Sequence, residues 1–158
     1  MATKAQTAYY KRGKSNKKNK AQMKIEFKKF NAEITRVLTG VAKEKLPAVM
    51  KRIVFDAING FIAMTPVDTG RARAGWYAYL DHSGLPPAGG GPGAAQGRAE
   101  GSFEENVTSK IIDIQIINRV PYIMPLEYGH SKQAPGGMVR VTLRRIRKLL
   151  QKIPSEVF

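Results

Sequence analysis

Asp68, Asp81, Asp113, Glu127 and His130 are among the side chains whose groups acid–base or metal chemistry uses. Their spacing supports neither chemistry. A metal-dependent hydrolase gathers several acids around one cation, whereas these carboxylates stand singly, with no nucleophile elbow and no ligand pair at helical spacing. Glu127 and His130 are three apart, but Tyr128-Gly129 between them reads as a turn, so His130 is expected to be a satisfied structural histidine. The chain has no cysteine, which excludes disulfides and thiolate sites, and only His82 joins His130 as an imidazole. Gly89-Gly90-Gly91-Pro92-Gly93 is not a phosphate loop, because no Lys-Ser or Lys-Thr follows it. The expectation is a protein that is no enzyme and needs no cofactor or metal. A small nuclease using Asp68 or Glu127 is the enzyme reading that remains.

The cations point elsewhere. Twenty-seven Lys and Arg against twelve Asp and Glu give a net charge of +15 over 158 residues. Such a field favours polyanions, chiefly nucleic acid or an anionic surface. Lys4, Lys11, Arg12, Lys14, Lys17, Lys18, Lys20, Lys24, Lys28 and Lys29 are opposed only by Glu26. A second block, Arg140, Arg144, Arg145, Arg147, Lys148 and Lys152, contains no acid. No helix-turn-helix, zinc finger or RNA-stacking signature accompanies them, so phosphate contact is expected rather than base readout. A solvated basic surface or an acidic protein partner would use the same charges. No apolar run reaches the ~20 residues that cross a bilayer, and no apolar segment follows the N-terminal cations, so cytosolic synthesis without a membrane partner is expected.

The elements that would position these groups follow from periodicity. Residues 1–21 are polar, cationic and aperiodic, and read as a flexible basic arm. Residues 22–158 read as one α+β domain, of a size that buries roughly two thirds of its unfolded surface. Phe27, Phe30, Ile34, Leu38 and Val41 form a helical stripe. Pro47 suits a kink or the first turn of a second helix, whose face comprises Val49, Met50, Ile53, Val54, Ala57, Ile58, Phe61 and Ile62. Pro66 ends it by pushing Thr65 out of the helical region. Asp68, Thr69 and Gly70 then supply a turn, with a positive φ available at Gly70.

From Arg71 the period changes to two. Ala72, Ala74, Trp76, Ala78 and Leu80 share one side, and Arg71, Arg73, Tyr77 and Tyr79 the other, which predicts a strand. Its partner would be Val107–Arg119, rich enough in β-branched residues for a central strand covered on both faces. The Gly/Pro-rich residues 81–106 would form the tip of this long hairpin, mobile at 84–104 in the monomer. Pro121 and Pro125 bracket a short edge-like element at Tyr122–Met124. A C-terminal helix from Met138 to Ile153 would turn Val139, Leu143, Ile146 and Leu150 inward and Arg140, Arg144, Arg147 and Lys148 outward. The fold expected is a small antiparallel sheet with a long hairpin, flanked by N-terminal helices and one C-terminal helix.

Two blocks of residues support a comparison with a family. Thr65-Pro66-Val67-Asp68-Thr69-Gly70-Arg71, with Arg73-Ala74-Gly75-Trp76, resembles the "TPVDTGRLR.SW" block of the tail-completion, or tail-to-head joining, proteins of tailed bacteriophages. Asn118, Tyr122, Leu126-Glu127-Tyr128-Gly129 and Gln133 through Arg140, with Thr142, resemble that family's "N…YA..LEYG…Q.P.GMVR.T" block, in the same order. The resemblance spans roughly residues 25 to 152. It implies a virion protein of the neck, made in the host bacterial cytoplasm and assembled as a homo-oligomeric ring, commonly of six. Such a ring lies between the head-closure or connector protein and the tail tube or tail terminator protein. Thr65, Pro66, Asp68, Thr69, Gly70, Arg71, Trp76, Glu127, Tyr128, Gly129 and Arg140 are the assembly positions it implies. Double-stranded DNA would pass through without sequence readout, met by Lys11, Arg12, Lys14, Lys17 and Lys18 of the arm or by Arg144, Arg147 and Lys148. Six copies would carry about +90 around a thread bearing one negative charge per ~1.7 Å. Two alternatives are a tail terminator capping the tube and a free, sequence-independent DNA-binding protein.

Overall fold

The computed structural model describes residues 17–86, 89–108 and 112–153. Among them lie seven helices and a two-stranded antiparallel sheet, an α+β fold. Helix α1, Lys17–Thr39, is longer at its start than its stripe suggests, so residues 17–21 of the expected arm are helical. Residues 1–16, and with them Lys11, Arg12 and Lys14, lie outside the described residues. Helix α2, Leu46–Met64, accepts Pro47 in its first turn, where an N–H has no partner to lose. Its inward residues recur every three or four positions from Leu46 to Ile62, and Ile58 is fully buried. Thr65 leaves the helix in an extended conformation (φ −76°, ψ 123°), as the following proline requires. Gly70 holds a positive φ of 81°.

The strand expected at residues 71–80 does not form. Two short helices take its place, α3 at Arg71–Ala74 and α4 at Ala78–His82. Ala74 N–H donates to Gly70 O at 2.9 Å and Asp81 N–H to Tyr77 O at 2.9 Å. Alanine favours a helix and contributes little to a pleated surface, so Ala72, Ala74 and Ala78 outweigh the alternation around them. Trp76, Tyr77, Tyr79 and Leu80 are all buried, which a strand half-exposed on its tyrosine face would not permit.

The hairpin exists with a different first strand. Helix α5, Ala94–Ala99, and strand β1, Gly101–Val107, occupy the segment expected to be a mobile tip. Strand β1 pairs antiparallel with β2, Ile112–Asn118, Gly101 opposite Asn118 and Glu105 opposite Ile114. Only one face of this sheet meets the body. Phe103, Ile114 and Ile116 pack on the core, while Glu104, Asp113 and Gln115 are exposed. The doubly covered central strand is therefore replaced by one strand of a two-stranded ribbon. Residues 122–124 likewise enter a helix, α6 at Ile123–Glu127, with Pro125 early enough in it to need no N–H donor. The last helix, α7, runs Val139–Leu150 beside α1 and α2. It lies parallel to α1, since Gln22 reaches Arg140 near one end and Arg36 reaches Leu150 and Ile153 near the other.

Candidate functional site

The first motif block is a corner fastened from several sides. Thr65 Oγ1 donates to Phe61 O at 2.6 Å and accepts from Trp76 Nε1 at 2.9 Å, so one buried hydroxyl ties the helix end to the indole. Trp76 also stacks obliquely on Phe61, centroids 5.2 Å apart. Arg71 holds Glu100 with both Nε, 2.8 Å from Oε2, and Nη2 on Oε1. That hydrogen bond, against an opposing desolvation, pushes the Arg71 guanidinium above its ordinary range, so it stays charged. The glycine-rich segment folds against the same corner. Gly93 N–H donates to Thr69 O at 2.9 Å, and Gly97 lies so close to the Arg71 carbonyl that no Cβ would fit. Gly91, Gly93 and Gly97 serve close approach, whereas Gly89 and Gly90 face open space.

The second block meets the first across more than forty residues of sequence. Gln133 Oε1 accepts from Val67 N–H at 3.2 Å. Asn118 Nδ2 donates to Ala72 O at 2.9 Å while its Oδ1 accepts from Val120 N–H at 3.1 Å. The Tyr122 ring stands 5.8 Å from the Arg71 guanidinium. Burial raises the Tyr122 hydroxyl's pKa, opposed by a hydrogen bond with Thr69 and by the charge of Arg71. Thr65, Arg71, Trp76, Asn118, Tyr122 and Gln133 thus form one continuous junction. Asp68 is exposed and makes no ion pair among the described residues.

Glu127 and Arg140 form a second, deeper node. Glu127 Oε2 accepts from the N–H groups of Met138 and Val139, both at 2.7 Å, and Oε1 from Arg140 N–H at 3.2 Å. A carboxylate here satisfies the orphan donors at the start of α7 and faces the positive end of its dipole. Arg140 Nε closes the pair at 2.9 Å, and Nη2 donates to Glu127 O at 2.6 Å. Gly137 (φ +82°) makes this possible, because its Cβ would fall 2.6 Å from Glu127 Oε1. Tyr128 lies 5.9 Å from the Arg140 guanidinium, and burial raises its pKa. Gly129 adopts a positive φ of 85° where the chain turns back along Pro135. Arg140, expected to point outward, is buried: the helix needs it inside to neutralise Glu127. His130 Nδ1 lies 3.2 Å from Pro125 O, so the ring has a hydrogen-bonding partner within its own turn.

The remaining cations divide by geometry. Arg144 and Arg147 reach Glu26 of α1 at 3.6 and 3.3 Å, so both are partly neutralised. Lys148 is exposed, as are Lys24, Lys28, Lys29, Arg145 and Lys152, and none has an acid within ion-pair distance among the described residues. Lys17 and Lys18 lie in the first turn of α1. Sequence reasoning missed Glu100 as the partner of Arg71 and Glu26 as the partner of Arg147. It also missed Arg36, which donates to Leu150 O at 2.9 Å at the end of α7. Separations of 29, 121 and 114 residues leave no periodic signal for such pairs. No group of three potential metal-binding side chains occurs among the described residues, and no helix is long and apolar enough to cross a membrane. No family model, curated protein or solved structure matches this chain.

Proposed function

We propose that this protein is a structural ring component of a tailed-bacteriophage neck, completing the tail and joining it to the DNA-filled head. The reading starts from the resemblance of the two blocks. The single observation that supports it best is their contact in space, through Val67–Gln133, Ala72–Asn118 and Arg71–Tyr122. Two segments that resemble one family in sequence order, and that also share one packed junction, behave as a single structural unit. Their polar atoms are spent on holding backbone, which suits a building piece better than a catalyst. Exposed cations without an ion pair among the described residues, Lys24, Lys28, Lys29, Arg145, Lys148 and Lys152 among them, suit diffuse contact with passing DNA. Arg144 and Arg147 are weaker candidates than Lys148, since Glu26 offsets them.

The test is negative-stain imaging of the purified protein alone and with isolated tails and connectors. Rings that form on those partners, and density at the collar of mature particles, are the expected result; a collar without the protein would reject the reading. The exposed cations also favour a second reading, a free nucleic-acid-binding protein. Binding by the isolated monomer with a steep salt dependence, and no ring on any partner, would select it.

A further inference from the structure

Strand β2 is paired on one side only. Strand β1 fills one edge, and no other strand or helix of the described chain runs along the opposite edge. The end at Asn118 is tied down through Ala72. Between Asp113 and Ile117 no main-chain group bonds to backbone outside the β1 ladder among the described residues. Proteins that stay monomeric guard such an edge with charged residues, lysine above all, with proline or with a bulge. Asp113-Ile114-Gln115-Ile116-Ile117 carries one charge, Asp113 at its end, but no lysine and no proline, and its register with β1 is unbroken.

We propose that this edge pairs with β2 of a second copy, antiparallel, with Gln115 at the two-fold axis. The two faces of the strand decide the register. Ile114 and Ile116 face the core, while Asp113 and Gln115 face solvent. A shift by one residue would set apolar against polar positions. Centring on Gln115 keeps all five residues in the ladder, opposes Ile114 to Ile116, and sets Asp113 against Ile117. No like charges meet, and none of the chain's many cations lies on the strand. The occupant is therefore a second copy: this register pairs Ile114 with Ile116 on the core face and brings no like charges together on the solvent face. The product is a four-stranded sheet with both helical bodies on one face, whereas a two-stranded ribbon is marginal by itself. A two-fold contact uses the same patch on both copies and does not close a ring of like-facing subunits. The pair thus describes the free protein and is independent of the neck reading.

The 158-residue chain has no cysteine, so Gln115→Cys gives a clean probe. Directly opposed residues in such a ladder lie within disulfide reach. Glu104→Cys, on the same exposed face but one strand further from the axis on each side, would sit about 14 Å from its copy. Under mild oxidation Gln115→Cys is expected to give a covalent dimer on a non-reducing gel, and Glu104→Cys to remain monomeric. By light scattering, Gln115→Lys is expected to weaken dimerisation at least about tenfold, by facing like charges at the axis, with an unchanged far-ultraviolet spectrum. A wild-type monomer at every concentration would overturn the proposal. So would an oligomer insensitive to Gln115→Lys that Gln115→Cys fails to cross-link. That second outcome would leave a ring built through other surfaces standing, whereas absence of the protein from the collar of mature particles would reject the neck reading alone.

Discussion

Helix α7 carries two charged clusters that differ in burial and in consequence. At its start, Arg140 and Glu127 are almost wholly enclosed, with side chains 5% and 2% exposed. One and two turns later, Arg144 and Arg147 share Glu26 while remaining 39% and 16% exposed. The first cluster has a hydrogen bond for each carboxylate lone pair that the helix start can supply. The second leaves Arg147 Nε without a partner. The same residue type on one helix therefore acts as scaffold where it is enclosed and as tunable surface where water reaches it.

The comparison can be broken most directly at Glu127. Glu127→Ala leaves Arg140 buried and unpaired and strips the start of α7 of its acceptor, so a loss of about 3–5 kcal/mol is expected in urea unfolding. A loss near that for an exposed pair would sink the scaffold assignment. Thr65→Val should cost less, about 1–3 kcal/mol, because it orphans the buried Trp76 N–H while preserving shape. Near-ultraviolet circular dichroism of the single tryptophan reports whether the indole moves. Glu26→Gln sharpens the other side: Glu26 is itself buried, but its arginines are only partly enclosed, so a loss smaller than that of Glu127→Ala is expected, with tighter binding of duplex DNA at low salt as Arg144 and Arg147 are released. Lys148→Glu should change stability by no more than about 0.5 kcal/mol while lowering DNA affinity and the salt slope. An unaltered slope would remove Lys148 from the DNA-facing set.

A smaller effect concerns pH. Burial raises the Tyr77, Tyr122 and Tyr128 hydroxyls in the folded state. A group whose folded pKa lies above its unfolded value contributes stability that is complete below the unfolded value, about 10 for tyrosine, and is lost as pH rises through the folded one. The melting temperature should thus hold below about pH 10 and fall above it, alongside tyrosinate absorbance. A decline that begins well below that range would assign alkaline lability to other groups.

Helices α2 and α7 were legible because each repeats apolar residues with a period that only a helix turns to one side; in α1 the helix was legible but its inward face was not, since Phe27 of the expected stripe is exposed while Glu26 and Val37 are buried. The stop at Thr65-Pro66 was equally legible, since proline restricts its predecessor whatever surrounds it. The stretch 71–80 was not. Alternating small and large residues there satisfied a strand template, yet Trp76, Tyr77, Tyr79 and Leu80 are all buried, and what decided was the body available on all sides. The glycine-rich segment misled for a related reason: glycine signals either freedom or close approach, and only the Thr69–Arg71 backbone lying against Gly93 and Gly97 shows which. Among the candidate positions, Thr65, Gly70 and Trp76 could be placed at a corner from sequence. That Glu127 caps α7, and that Arg140 turns inward to meet it, could not.

By itself the sequence determined the charge, the lack of thiolate chemistry, the long helices and their inward stripes, because these follow from residue type and local spacing. Tertiary structure decided which strand β2 pairs with, which arginines are neutralised and which acid serves as a helix cap. Those outcomes depend on groups tens to more than a hundred residues apart becoming neighbours, and electrostatic and hydrogen-bond energies are set by that distance and by the water excluded with it.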